Sequence, residues 1–307
     1  MKRINTFLMT LALALFVAVG AMAQDMNSAT EAFNKAKAAF EAGNETEAIT
    51  GFNEAMKIAS EAGADGQQMV TDCKDLIPKI LLKAATKKLE AKDYTGALAG
   101  LEETVAKAKE YGGTETAETA GDLIPQVTMV LGDNALNAKN YTEAIAKYNE
   151  TLQYTPNDGN AYLRLGMAQA AAGNESAAEE AFTKAKANGQ EASANNQLTT
   201  MYFNKLAAAY QAKNYSSAVE AAEKVNEFGA NAQASLYGGM AAFNMKSYSK
   251  AISLLKKAQQ NSTTFYFLAQ SYEKSGQNSS ACMYYKKLLN DKQFGAFAKS
   301  KIAALKC

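Results

Sequence analysis

The sequence predicts an all-α fold: a solenoid of about seven antiparallel helix hairpins, closed by a C-terminal capping helix. Three observations lead there. A short polar turn followed by an alanine-centred helix recurs, as "AKDYTGALAGLEETV" from Ala91, "AKNYTEAIAKYNETL" from Ala138 and "AKNYSSAVEAAEKV" from Ala212. Equivalent alanines stand at Ala48, Ala97, Ala144, Ala178, Ala218, Ala251 and Ala281, at intervals of 49, 47, 34, 40, 33 and 30 residues. Self-similarity at that period marks an array of helical hairpins. Abundant Ala, Glu, Lys and Leu with three Pro in 307 residues favour helix throughout.

The first element is a leader. Lys2 and Arg3 precede an apolar stretch from Phe7 to Gly20, and Ala21-Met22-Ala23 forms a small-x-small site before Gln24. This pattern reads as a secretory signal peptide over residues 1–23, cleaved after Ala23. The apolar run is short for a membrane span, and the first cysteine is Cys73, far from any lipid-anchoring position. The expected location is the periplasm, or outside the cell, of a Gram-negative bacterium. No later segment approaches the roughly 20 apolar residues of a spanning helix, so no membrane insertion is expected after cleavage. Without Lys2 and Arg3, 30 basic residues face 31 acidic ones, a balance that supplies no general attraction to nucleic acid.

Each hairpin then follows from side-chain spacing. Four residues after each repeat alanine comes Phe52, Leu101, Tyr148, Phe182, Ala222, Leu255 or Tyr285. Residues four apart share a helix face, so the alanine admits the first helix closely while the larger residue fills the space beside it. The next position is apolar in most copies, at Ile49, Leu98, Ile145, Val219 and Ile252, a stripe suited to the neighbouring hairpin. The turns place Gly or Lys, then a polar residue, before the second helix. Gly or Asn is expected to supply the left-handed stop, and Asp, Asn, Ser or Thr the next cap.

The chain divides into N-terminal units with longer helices (24–157), C-terminal units (158–291) and a capping helix (292–307). In the first part "DLIP" occurs at Asp75–Pro78 and again at Asp122–Pro125. Proline removes a helix hydrogen bond but is tolerated in a first turn, so long helices that start or kink near Pro78 and Pro125 are expected.

The copy "NAYLRLGMAQAAAGNESAAEEAFTKAKA" carries Tyr162, Leu165, Gly166, Ala178, Phe182 and Ala185 at the spacing of one repeat pattern, and Leu131-Gly132, Leu268-Ala269 and Pro156 extend it. On these residues the chain, from about Ala29 to Leu289, resembles the tetratricopeptide repeat family. The resemblance implies a right-handed superhelix whose first helices line a concave groove for peptides or partner proteins. Carried over, the groove positions of the C-terminal units are Phe203, Tyr210, Leu236, Met240, Phe243, Tyr266 and Gln270. Such a lining suits an apolar or extended peptide. Leu163 and Met167 stand where the family's carboxylate clamp has its first Lys and Asn, so that mode is not expected.

Nothing in the sequence points to catalysis. The absence of His excludes Ser-His-Asp and Cys-His nucleophiles and the common His-containing zinc sites. No GxxxxGK[ST] phosphate loop occurs. Glu102-Glu103 and Glu179-Glu180 read as solvated helix faces. No enzyme, metal or cofactor is expected, and the expected partner is a protein or peptide. An envelope glycan-binding or glycan-processing protein is the alternative class, disfavoured by the lack of Trp and of an opposed carboxylate pair; a structural self-assembling array is the third. Cys282 sits on the stripe that would face the capping helix, which ends in Cys307. The two either pair, as an oxidising compartment permits, or remain a buried small residue and a free thiol. Cys73 reads as a buried helix residue.

Overall fold

The computed structural model describes residues 23–307; the expected leader, through Met22, lies outside the described residues. The helices are α1 (Ala23–Glu41), α2 (Glu45–Glu61), α3 (Gln67–Glu90), α4 (Tyr94–Tyr111), α5 (Thr114–Asn137), α6 (Tyr141–Tyr154), α7 (Gly159–Ala171) and α8 (Glu175–Ala185). They continue as α9 (Glu191–Gln211), α10 (Tyr215–Phe228), α11 (Ala232–Asn244), α12 (Tyr248–Lys257), α13 (Ser262–Lys274), α14 (Asn278–Lys287) and α15 (Gly295–Ala304). No strand occurs among the described residues. Paired in order, α1 to α14 make seven hairpins, and α15 packs on α14 as the closing helix. Contacts group the chain into two compact units, one ending at Val130 and one running from Leu131 to Cys307.

The seven repeat alanines are fully buried, and the reason is visible across each hairpin. Twelve residues before each alanine, on the first helix, stands a residue that faces the bulky one of the second. In the third, fourth and sixth hairpins it is Gly132, Gly166 or Gly239. A Cβ added there would lie 2.6 Å from Tyr148, Phe182 or Leu255 respectively, closer than van der Waals contact allows. The first two hairpins put the glycine on the second helix instead. Gly51 and Gly100 back onto Ala36 and Ala85, with added Cβ atoms 2.8 and 3.0 Å from the alanine methyls. The fifth hairpin reverses the sizes, with Leu206 on the first helix and Ala222 on the second, both fully buried. How size is divided between the two helices thus differs from hairpin to hairpin.

The turns differ from expectation in one respect. Gly43, Gly173 and Gly276 take the left-handed conformation, and so do Lys92, Lys139, Lys213 and Lys246, at φ between 59° and 62°. No asparagine does. Asn44, Asn140, Asn174 and Asn214 fall one residue later, at the N-cap of the next helix. Asn214 accepts a hydrogen bond there from the Ser217 N–H, as Asp93 does from Gly96.

Neither proline begins a helix. Pro78 and Pro125 both lie inside 24-residue helices, α3 and α5. Pro125 has no N–H to donate to the Gly121 carbonyl, and one residue on, the Gln126 side-chain amide donates 3.0 Å to the Asp122 carbonyl.

In the first unit a lysine pair ties α3 to the α1–α2 turn. Lys87 reaches the Gly43 carbonyl at 3.3 Å and the Glu45 carboxylate at 2.5 Å. Lys83 lies 4.1 Å above the Phe40 ring, a favourable cation–ring contact. Burial alone would raise the Glu45 pKa, but Lys87 and Lys83 outweigh it and hold the carboxyl below its ordinary range.

Candidate interaction surface

The groove residues named from the sequence all lie on first helices of the second unit. Phe203 and Tyr210 are on α9, Leu236, Met240 and Phe243 on α11, and Tyr266 and Gln270 on α13. All seven are half-buried. Tyr210 and Phe243 stand at the C-terminal ends of α9 and α11, each between the second helix of its own hairpin and the first helix of the next.

The rings among them are tied into the repeat rather than free. Tyr210 meets Tyr237 of the next hairpin at 5.5 Å and Tyr215 at 6.0 Å. Phe243 meets Phe267 edge-on at 5.3 Å and Tyr248 at 5.8 Å. Tyr266 is stacked on Phe294 at 4.4 Å and lies 5.4 Å from Phe297. Tyr266 therefore packs on the closing end of the array, and Tyr210 and Phe243 pack on neighbouring hairpins. Leu163 and Met167, at the clamp positions, are half-buried and packed on the core.

A second pattern escaped the sequence reading. Three tyrosines donate to a carboxylate that also receives a cation. Asp133 on α5 takes the Tyr148 phenol of α6 and Arg164 of α7, each at 2.7 Å. Glu179 on α8 takes the Tyr202 phenol of α9 at 2.6 Å and Lys224 of α10 at 3.4 Å. Glu273 on α13 takes the Tyr285 phenol of α14 and Lys301 of α15, the latter at 2.6 Å. Each set joins three successive helices. Burial and then the neighbouring carboxylate push all three phenols above the ordinary tyrosine value. Burial opposes ionisation of Glu273, but Lys301 and Tyr285 prevail and hold it below the ordinary range. Glu179 thus belongs to a polar junction, not to the solvated face expected for Glu179-Glu180. Only Glu180, paired with Lys184 at 2.8 Å, keeps that description. No local motif announces these sets, because their members come from different helices.

Cys282 and Cys307 are joined by a disulfide, with Cα atoms 5.7 Å apart, so α15 is held to α14 covalently. Cys73 is buried and free, and burial, then Asp72, pushes its thiol up to about 12. That keeps it protonated and unreactive. Among the described residues there is no cluster of three or more His, Cys, Asp or Glu suited to a metal ion, and no helix long and apolar enough to cross a membrane.

Residues 129–193 match the tetratricopeptide repeat family model. No curated protein matches the chain. Among solved structures, a crystal structure of the MamA protein aligns at 20% identity and TM-score 0.34, covering 61% of this chain and 97% of that one. A tetratricopeptide repeat protein from Parabacteroides merdae aligns at 13% identity and TM-score 0.28, over 92% of this chain and 100% of that one. MamA residues 41 to the end from Desulfovibrio magneticus align at 19% identity and TM-score 0.31, over 54% and 93%.

Proposed function

Because this chain carries tetratricopeptide repeats, we propose that it is an exported, non-catalytic scaffold that binds a protein partner in the periplasm or cell envelope. The observation that carries the reading is the row of half-buried aromatic and aliphatic side chains on α9 and α11, with Tyr210 and Phe243 at its centre. Such rings are preformed by their neighbours, so a partner would lose little side-chain entropy in ordering them. Aromatic anchors in desolvated settings dominate interface energies. The mechanism is stereochemical, with an extended or apolar segment laid along the first helices and no bond made or broken. Export rests on the leader pattern from Lys2 to Ala23.

The test is in-cell crosslinking followed by mass spectrometry, comparing the native chain with Tyr210→Ala/Phe243→Ala. The expected result is loss of one or a few crosslinked proteins while helix content and melting temperature stay close to native. An unchanged crosslinked set in a folded variant would remove this surface from the function. N-terminal sequencing of the purified protein is expected to begin at Gln24; a chain retaining Met1 would contradict export by cleavage.

A further inference from the structure

We propose that residues 246–307 form a cationic docking surface for the acidic N-terminal unit of a second copy of this chain. The balanced total charge conceals a division. Residues 246–307 hold eleven lysines and two acidic residues, a net of +9, whereas residues 26–245 hold 28 acidic and 19 basic residues, a net of −9.

Neither acid in the basic end is available to neutralise it. Glu273 is taken by Tyr285 and Lys301, and Asp291 accepts the Gln293 and Phe294 N–H groups at 2.8 and 2.9 Å. Lys250 pairs with Glu223 at 3.0 Å. Lys286 reaches the terminal Cys307 oxygen at 3.3 Å; among the described residues, the other eight lysines have no carboxylate within salt-bridge distance. A helix C-terminus favours cations, which accounts for Lys256 and Lys257 on α12 and for Lys286 and Lys287 on α14 one at a time. It does not account for the missing counter-charges between them.

Two of these cations share a fixed support. Tyr272 and Tyr284 are stacked at 5.6 Å and 11°, and Phe265 meets Tyr284 at 6.0 Å. Lys256 lies 5.8 Å from the Tyr272 ring, and Lys287 lies 4.8 and 5.1 Å from Phe265 and Tyr284. One aromatic stack thus holds ammonium groups from two different hairpins in place. Met283, four residues before Lys287, is 48% exposed beside them.

The complementary surface is on the same chain. Glu102 and Glu103 on α4, and Glu115, Glu118 and Asp122 in the first half of α5, are exposed and, among the described residues, have no cation within salt-bridge distance. A nucleic acid or anionic bilayer bound at the basic end would leave these five carboxylates without a cation. A second copy offers their charge as an attraction. Joining unlike surfaces is head-to-tail association, which extends unless a ring closes it.

The experiment is sedimentation velocity on the disulfide-intact chain at about 20 mM and about 500 mM salt, concentrations that bracket effective screening. The expected result is concentration-dependent oligomers at low salt, weakened about tenfold or more at high salt. Lys256→Glu/Lys257→Glu/Lys286→Glu/Lys287→Glu and, separately, Glu102→Lys/Glu103→Lys/Glu115→Lys/Glu118→Lys are each expected to be folded and monomeric. Mixing the two restores a pair, because each keeps the face the other has lost. A native chain that stays monomeric at low salt, association indifferent to salt, or a mixture that stays monomeric overturns the proposal. So does a monomer that binds vesicles one-third anionic in lipid, or a single-stranded oligonucleotide, since the basic end would then serve a polyanion.

Discussion

Asp133 Oδ1 accepts both the Tyr148 phenol and the Arg164 guanidinium, each at 2.7 Å, so one oxygen atom connects α5, α6 and α7. Tyr148 is fully buried, while Arg164 keeps 43% of its side-chain exposure. The two partners therefore contribute unequally. Asp133→Ala is expected to cost about 2 kcal/mol by stranding a buried phenol. Arg164→Ala is expected to cost less than about 1 kcal/mol, because solvent screens a partly exposed pair. Urea unfolding of the two variants measures the difference, and equal losses would contradict the assignment.

The same three junctions give the fold an alkaline limit. Tyr148, Tyr202 and Tyr285 have folded pKa values above the ordinary tyrosine value. A raised phenol contributes its full stability below about pH 10 and loses it as pH rises through the folded value, since the unfolded chain ionises first. On the acid side Glu45 and Glu273 are held low, so their contribution is present above about pH 4.5 and is lost as pH falls through the folded values. Denaturation midpoints are expected to stay level between about pH 6 and 9 and to fall beyond pH 10. Tyr285→Phe should flatten the alkaline decline.

Gly166 is forced by Phe182. An added Cβ would sit 2.6 Å from the ring, and overpacking of this kind costs about 1–3 kcal/mol. Gly166→Ala is expected to lose that much, and Phe182→Leu in the same chain to recover part of it. A double-mutant cycle by thermal melting reads the coupling; additive losses would mean that the two residues do not constrain each other.

The left-handed lysines carry an avoidable strain. A residue with a Cβ pays about 1 kcal/mol in that conformation, and glycine does not. Lys139→Gly and Lys213→Gly are each expected to stabilise the chain by about 0.5–1 kcal/mol, less the added flexibility of the unfolded state. Their melting temperatures should rise. The same change at Lys205, inside α9 and paired with Glu175, should instead lower stability by about 1 kcal/mol or more.

Much of the fold could be read from the sequence because its determinants are local. The alanine seams from Ala48 to Ala281 and the polar turns repeat within a few residues of one another, so spacing alone places them. The junctions at Asp133, Glu179 and Glu273 could not be read that way, since each gathers side chains from three helices. The left-handed lysines were hidden by a propensity that favours Gly and Asn in general but does not govern these turns. The separation of charge at Lys246 vanished because a whole-chain total averages it away. Of the groove candidates, Tyr266 looked equivalent to Tyr210 and Phe243 by register, and its stacking on Phe294, at the N-cap of the closing helix, distinguishes it.

The inverted sizes of Leu206 and Ala222 bear on how such an array can change. Ala222 backs onto Gly238 of α11, where an added Cβ would lie 2.4 Å from its methyl, so the small residue of the fifth hairpin is matched by one in the sixth. Hairpins of this chain are thus not interchangeable parts. Duplication or excision that separates the fifth hairpin from the sixth has to bring another small residue opposite Ala222.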